Sequence, residues 1–158
     1  MTVEASVQPK EKFSQRDIEV LQGLADDLSH SQIAKNLGLK PAEIFLVKQA
    51  ITSKVKEFYV REGICKAISL AISSGEVVPR QLSDIQEVLL DSEDTMIWAM
   101  MGKGLVSYQI AAKLGSTPGY AECRRRMIAR KLKVRTIYRA TALAAYAMKQ
   151  AGGIDQSG

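Results

Sequence analysis

An internal repeat constrains the fold of this chain more strongly than any other feature of its sequence. Residues 13–55 align without a gap with residues 90–132, at an offset of 77, and ten of the 43 aligned positions are identical. Seven of the ten identities lie between Leu28 and Pro41 of the first copy. Similarity at a fixed offset indicates a repeated supersecondary unit, and so predicts a duplicated architecture. The identical pairs are Asp17/Asp94, Leu28/Leu105, Gln32/Gln109, Ile33/Ile110, Ala34/Ala111, Leu37/Leu114, Gly38/Gly115, Pro41/Pro118, Ile51/Ile128 and Lys54/Lys131.

The first copy carries the start and stop signals of three short helices. Ser14 can cap a helix that we expect to end near Asp27, and Ser29 opens the capping box of a second helix. Gly38 supplies a left-handed residue at the end of that helix, and Pro41 suits the first turn of a third. A fourth helix is predicted over residues 61–73. The apolar positions expected to face inward are Ile18, Leu21, Leu24 and Ala25, then Ile44, Val47, Ile51 and Val55.

The second copy repeats this order of signals and therefore predicts the same helices. Trp98 aligns with Leu21, so we interpret it as a core residue. Alanine-rich residues 136–148 predict a closing helix that is apolar on more than one face. The expected caps and turn residues are Ser92, Ser107, Gly115, Thr117 and Pro118, and the inward positions of the third helix are Ala121, Ile128 and Leu132.

These elements predict an all-α protein made of two tandem four-helix units. The first unit should span residues 13–76 and the second residues 91–152. Residues 77–90 have apolar residues at helical spacing, which indicates a packed linker helix. Residues 1–12 and 153–158 are expected to be disordered.

Several functional classes lack support in the sequence. No apolar run reaches the roughly 18 residues that a spanning helix needs, and no secretory signal begins the chain, so we expect a cytoplasmic protein that does not contact a membrane. Cys65 and Cys123 are far apart, and His30 is the one histidine. We therefore expect no metal site, no disulfide, no cofactor and no catalytic residues.

Basic charge is concentrated in the last third of the chain. Residues 103–158 contain eleven Lys and Arg and two Asp and Glu, whereas residues 1–79 contain ten of each class. Glu122 is the one acidic residue between Lys103 and Arg139. Such a distribution suits a polyanionic partner, although an ordinary solvated basic surface is the alternative.

Two short helices joined at a glycine are typical of a helix-turn-helix. The segment FSQRDIEVLQGLADDLSHSQIAKNLGL resembles the opening of LuxR/GerE DNA-binding domains, and GKGLVSYQIAAKLG and IARKLKVRTIYRA of the second copy resemble their middle and end. The matching residues are Arg16, Glu19, Val20, Leu21, Ala25, Leu28, Ser29, Ile33, Ala34 and Leu37 in the first copy, and Gly104, Leu105, Ile110, Ala111, Leu114, Ile128, Lys131, Leu132, Val134 and Ala140 in the second.

The resemblance implies a sequence-specific transcriptional regulator that binds double-stranded DNA and is associated with the nucleoid. The third helix of the second unit would enter the major groove, where Arg126 could contact a guanine edge. The outward positions of that helix are predicted to include Ala129 as well as the polar residues. The expected DNA-binding residues are Thr117, Tyr120, Glu122, Cys123, Arg124, Arg125, Arg126, Arg130, Lys131, Lys133 and Arg135, the basic ones other than Arg126 on phosphates.

The first unit should present a different surface, because its third helix exposes two large apolar residues and little charge. We expect this face to be a second DNA contact or a partner interface, and Thr52 to lie on it. Its predicted residues are Phe45, Leu46, Lys48, Gln49 and Ser53. The alternative function is a protein-interaction module that binds RNA polymerase or another regulator. The closing helix would either form a homodimer or pack on the linker helix.

Overall fold

The computed structural model describes residues 12–82 and 90–157, with residues 153–157 described by their backbone alone. The central part of the predicted linker helix and most of the predicted disordered N-terminus lie outside the described residues. Within the described ranges, the chain contains eight α-helices and no strand, so the all-α prediction is confirmed.

The helix bounds repeat along the chain at the offset found in the sequence. In chain order, the helices are α1 (Gln15–Ala25), α2 (His30–Leu37), α3 (Pro41–Lys54), α4 (Val60–Ser73), α5 (Ser92–Gly102), α6 (Ser107–Leu114), α7 (Pro118–Lys131) and α8 (Ile137–Ser157). Helices α5, α6 and α7 begin and end 77 residues after α1, α2 and α3, and α8 begins 77 residues after α4. The first half, residues 12–82, and the second half, residues 90–157, therefore contain the same series of helices.

Two helix ends differ from the prediction. Helix α1 ends at Ala25, before the expected end near Asp27. Helix α8 continues to Ser157, so the predicted end near Met148 was wrong, and residues 153–157 have helical backbone instead of the expected disorder.

The helix caps explain why these segments begin where they do. Ser14 and Ser29 each accept a backbone N–H from the third helical residue, as predicted. In the second half the prediction was one residue late twice, because α5 is capped by Asp91 and not Ser92, and α6 by Val106 and not Ser107. The Gln109 amide oxygen accepts the Val106 N–H at 3.0 Å, so this end of α6 is satisfied without a capping hydroxyl.

The turns repeat as closely as the helices do. Gly38 and Gly115 end α2 and α6 in the left-handed region, with φ of 69° and 65°. Lys56 and Lys133 follow α3 and α7 with φ of 57° and 59°, although neither is a glycine. Both halves therefore leave their third helix along the same backbone path.

The fourth helices of the two halves, α4 and α8, pack against each other at the centre of the molecule. Ala142 and Ala145 of α8 belong to the hydrophobic core of the first half, and Cys65 of α4 belongs to that of the second. Helix α8 also packs on α5, where Gly102 lies so close to Ala144 that an added Cβ would stand 2.8 Å from its carbonyl carbon. The closing helix thus packs within the chain, mainly against α4 and α5 and also against α1 and α7, and none of these helices was among its predicted partners.

The two halves also exchange equivalent contacts. Lys48 of α3 lies 3.4 Å from the Tyr138 hydroxyl in the first turn of α8 (Nζ to Oη). Arg125 of α7, which is 77 residues after Lys48, contacts Glu62 in the first turn of α4 at 3.3 Å. Each third helix therefore touches the start of the other half's fourth helix, as in a symmetric pair of subunits.

Among the described residues, none of the helices combines the length and the apolar character that crossing a membrane requires.

Candidate nucleic-acid interface

The two third helices, α3 and α7, bury the faces that the sequence predicted. Ile44 and Ile51 of α3 and Ala121 and Ile128 of α7 are fully buried. Thr52 and Ala129 were wrongly assigned to the outward faces, since both are buried too. Ala129 packs in the core of the second half, and Thr52 lies against Gly63 of α4, leaving no room there for a side chain on residue 63.

Arg125 is the largest departure from the predicted interface. Its side chain is 0% exposed, so the prediction that it reaches a phosphate was wrong. Its Nη1 atom donates to Ser107 Oγ at 2.6 Å and lies within 3.3 Å of Glu62 and 3.2 Å of Glu122. Its Nη2 atom donates to the Cys65 sulfur at 3.4 Å. Arg125 therefore joins α7 to α4 and α6 instead of facing solvent.

Two further basic residues of α7, Arg124 and Lys131, are already paired with a buried carboxylate. Asp94 is 0% exposed and accepts a hydrogen bond from Arg124 and one from Lys131, the latter at 2.5 Å. The first half contains the equivalent pair, Lys54 and Asp17, also at 2.5 Å. The repeat identities Asp17/Asp94 and Lys54/Lys131 therefore correspond to an internal ion pair in each half. The phosphate contacts predicted for Arg124 and Lys131 stay predictions, and they would compete with Asp94.

Four basic residues from the predicted set remain on the surface. Arg126 has a side chain that is 62% exposed, and Arg130, Lys133 and Arg135 are exposed as well. Within the described part of the chain, no carboxylate forms an ion pair with the side chains of Arg130, Lys133 or Arg135. The uncharged residues of the predicted interface, Thr117, Tyr120 and Cys123, are also exposed.

Tyr120 and Thr117 lie at the start of α7. Thr117 caps the helix as predicted, accepting the Tyr120 N–H at 3.2 Å. The Tyr120 hydroxyl donates to Glu93, and this hydrogen bond raises the pKa of the tyrosine. Tyr120 therefore remains a neutral side chain at the edge of the exposed face.

Glu122 is only partly exposed and connects several basic residues at the start of α7. Its carboxylate contacts Arg61 at 2.9 Å and Arg126 at 3.1 Å, and accepts the Ser107 hydroxyl at 2.9 Å. Desolvation opposes ionisation, but the Ser107 hydrogen bond and the charges of Arg125 and Arg61 hold the pKa of Glu122 below its usual value. Glu122 is therefore ionised, and its carboxylate holds Arg61 and Arg126 close to each other.

A cleft beside α7 gathers arginines from both halves. It has a volume of about 370 Å³, and it is lined by Arg61 from α4 and by Arg126, Arg130 and Arg135 from the second half. We call it the four-arginine cleft. Its remaining lining residues are Ala129, Val134, Thr136, Ile137 and Tyr138. Arg61 was not predicted as a site residue, because no local pattern in the sequence connects α4 with α7.

The exposed face of α3 is apolar, as predicted. Phe45 is 47% and Leu46 61% exposed, and Gln49 and Ser53 are exposed beside them. Lys48 was expected on this face but is buried, which corrects the prediction. Its ammonium lies 3.0 Å from His30 Nε2 and 5.1 Å from the centre of the Tyr138 ring. Burial lowers the pKa of Lys48, against an opposing electrostatic contribution from Cys65.

No cluster of three or more metal-ligating side chains occurs in the residues that the structure describes. Cys65 is buried and Cys123 exposed, and both are free thiols. Comparison of the chain with family models, with curated proteins and with solved structures returned no match. The resemblance to LuxR/GerE domains therefore remains a prediction from sequence.

Proposed function

We propose that this protein is a sequence-specific transcriptional regulator that binds double-stranded DNA, with two LuxR/GerE-like helix-turn-helix units in tandem. Helix α7 of the second unit would lie in the major groove. The observation that carries the proposal is the exposed basic surface formed by Arg126 and Arg130 of α7 and by Lys133 and Arg135 directly after it.

The exposed face of α7 supports roles for individual residues. Arg126 extends from the middle of the helix, and its pair with Glu122 is solvent-exposed on the arginine side, so a nucleic acid can replace it at low cost. Its planar guanidinium suits two hydrogen bonds to a guanine edge. Arg130, Lys133 and Arg135 would contact phosphates, which position a protein on DNA without reading its sequence.

A second candidate function is favoured by the apolar face of α3. Phe45 and Leu46 are exposed, and a second pair that follows α3 in the chain, Phe58 and Tyr59, is 85% and 64% exposed with the rings packed edge to face. Exposed aromatic and aliphatic groups often mark a protein interface. The first unit would then bind RNA polymerase or another regulator, or it would add a thymine-methyl contact to the DNA complex.

Fluorescence anisotropy with a labelled mixed-sequence duplex of about two helical turns tests the DNA proposal. On mixed-sequence DNA, Arg126 would contact a phosphate like the other three cations, and four neutralised phosphates would give a slope of about −3.6 in log affinity against log salt concentration. We expect the double substitution Arg126→Ala with Arg130→Ala to reduce this slope by about two and to weaken binding.

Arg16→Ala provides the matched control, because Arg16 is an exposed arginine on α1 and is not part of the basic surface formed by α7 and the residues after it. It should leave both affinity and slope unchanged. A wild-type slope shallower than about −2, or an equal effect of the double variant and the control, would contradict the proposed DNA surface.

A further inference from the structure

Four arginines line the four-arginine cleft, which has a volume of about 370 Å³. Arg61 comes from the first half, and Arg126, Arg130 and Arg135 come from the second, so the cleft exists only when the two halves are packed together. Guanidinium groups form two parallel hydrogen bonds with phosphate oxygens. We propose that this cleft is a binding site for a phosphate or diphosphate group.

The charge around the cleft remains positive after its acidic neighbours are included. Glu122 pairs with Arg61 and Arg126. Asp27 accepts the Arg135 N–H at 2.7 Å and the Thr136 hydroxyl at 2.9 Å, beside the start of α8. Glu62 also lies 3.6 Å from Arg61, and Arg125 contacts both Glu62 and Glu122. With Arg125 included, five guanidinium groups stand against three carboxylates, and the side chains of Arg130 and Arg135 form no ion pair with a described acid. A dianion matches the remaining charge.

The surroundings of the arginines favour such an anion. Ala129, Val134 and Ile137 form an apolar part of the lining, and an apolar boundary strengthens the attraction between charges across the cleft. Arg61 and Arg126 are already held toward each other by the Glu122 carboxylate, at 2.9 and 3.1 Å. This arrangement reduces the side-chain freedom that a ligand would have to remove.

Phosphate groups could reach the cleft from the DNA backbone or from a small phosphorylated molecule. The chemistry of recognition is the same for both, and the cleft does not require that the protein bind DNA. Binding of pyrophosphate therefore tests the cleft, and competition with duplex DNA identifies the source.

The experiment is isothermal titration calorimetry of the full chain with sodium pyrophosphate, at ionic strength held constant with sodium chloride. Arg135→Gln is the main variant, because the Arg135 side chain has no described ion-pair partner whose loss would disturb the fold. Arg61→Gln tests the contribution of the other half, and Arg16→Gln on α1 is the control. Circular dichroism verifies that each variant is folded.

We expect Arg135→Gln and Arg61→Gln each to weaken pyrophosphate binding by about tenfold, because each removes one charged pair of hydrogen bonds, and Arg16→Gln to have no effect. The proposal would be overturned if pyrophosphate gave no more heat of binding than sodium chloride does. It would also be overturned if Arg16→Gln weakened pyrophosphate binding as much as Arg135→Gln and Arg61→Gln do. If Arg61→Gln does not fold, Arg135→Gln alone decides.

Two outcomes of the competition experiment support the proposal that the cleft binds phosphate. They differ only in which molecule supplies the phosphate group. Pyrophosphate that displaces duplex DNA at constant ionic strength indicates that the cleft holds a backbone phosphate. Pyrophosphate that binds without displacing DNA indicates a separate small-molecule site. A chain that binds pyrophosphate but no duplex refutes the proposed function and leaves the cleft intact.

Discussion

At the scale of single residues, the repeat places a long basic side chain at one buried position in each half, with different surroundings. Arg125 has two carboxylates, Glu62 and Glu122, within 3.3 Å. Lys48, its equivalent, has the neutral groups of His30 and Tyr138 as its described hydrogen-bond partners. A buried charge is tolerable when it is paired and costly when it is not. The two residues should therefore contribute to stability with opposite signs.

Arg125→Ala should destabilise the protein by about 3 to 5 kcal/mol, because it removes one partner of the buried ion pair between Arg125 and Glu62. The measurement is urea denaturation. Arg126→Ala is the control, since the neighbouring side chain is 62% exposed and should change the free energy of unfolding by less than about 1 kcal/mol. Similar effects of the two substitutions would mean that Arg125 is not buried among α4, α6 and α7.

Lys48→Met should leave the free energy of unfolding unchanged or raise it by about 1 kcal/mol or more, because it replaces a desolvated ammonium by an apolar chain of similar length. Lys54→Met on the same helix is the matched control. Lys54 pairs with the buried Asp17, so its loss should be destabilising. The two denaturation curves should shift in opposite directions, and a loss of stability in Lys48→Met would contradict the argument.

The pH dependence of Lys48→Met provides a second readout. Burial, and then the charge of Lys48, lower the pKa of His30 below 6.5. The unfolded chain therefore binds this proton more readily, and stability falls as the pH drops from about 6.5 toward the pKa of the folded state. Removing the Lys48 charge should reduce that loss but not abolish it, because burial remains.

At the scale of helices, α3 and α7 have the same length and the same backbone conformation but expose different side chains. Both begin at a proline and both bury isoleucine at the same positions, Ile51 and Ile128. The outward face of α3 carries Phe45 and Leu46, whereas α7 carries Glu122 and Cys123 at these places. The duplication has thus kept the packing side and allowed the solvent side to diverge.

The joint substitution Phe45→Ser with Leu46→Ser should leave the melting temperature within a few degrees of the wild type, because both side chains are exposed. We expect unchanged affinity for mixed-sequence DNA, since α7 supplies the basic surface. Melting temperature and DNA affinity should be measured on one preparation. Lost DNA affinity with an unchanged melting temperature would make the first unit a DNA reader.

At the scale of the whole molecule, the fourth helices unite the two halves. Helices α4 and α8 are buried on several sides, by each other and by the helices of both halves. The contacts from Lys48 to Tyr138 and from Arg125 to Glu62 start at matching positions of the repeat and end in the first turn of the other half's fourth helix, one position apart. One chain thus resembles a symmetric dimer whose subunits have been joined.

We therefore expect the chain to be monomeric and to bind a duplex as one chain per site, because the closing helix that could pair two chains is occupied internally. Sedimentation equilibrium over a wide concentration range measures the first property, and stoichiometric titration of DNA the second. A stable dimer, or two chains per minimal site, would show that pairing of α4 with α8 does not replace association between chains.

Much of the fold could be predicted from the sequence, because its determinants are local. Capping side chains, glycines at left-handed turns and the spacing of apolar residues act over a few positions, and they located the starts of the eight helices in the described residues to within about one residue. The repeat added the order of the helices. The same local periodicity identified Ile128 as buried and Arg126 as exposed.

The composition of the candidate site was decided by the tertiary structure. Arg125 meets Glu62 across 63 positions of the chain, and Lys131 meets Asp94 across 37. Helical spacing places Arg125 on the same face as Ala121 and Ile128, but it does not reveal that a carboxylate of another helix meets the arginine there. That contact depends on how α4 and α8 bring the halves together, and the same packing adds Arg61 to the four-arginine cleft. The positions of the helices and of their apolar faces follow from the sequence, because their determinants lie within a few residues. Long-range packing decided which charged side chains remain free to bind another molecule, because ion pairs depend on distance in space and not along the chain.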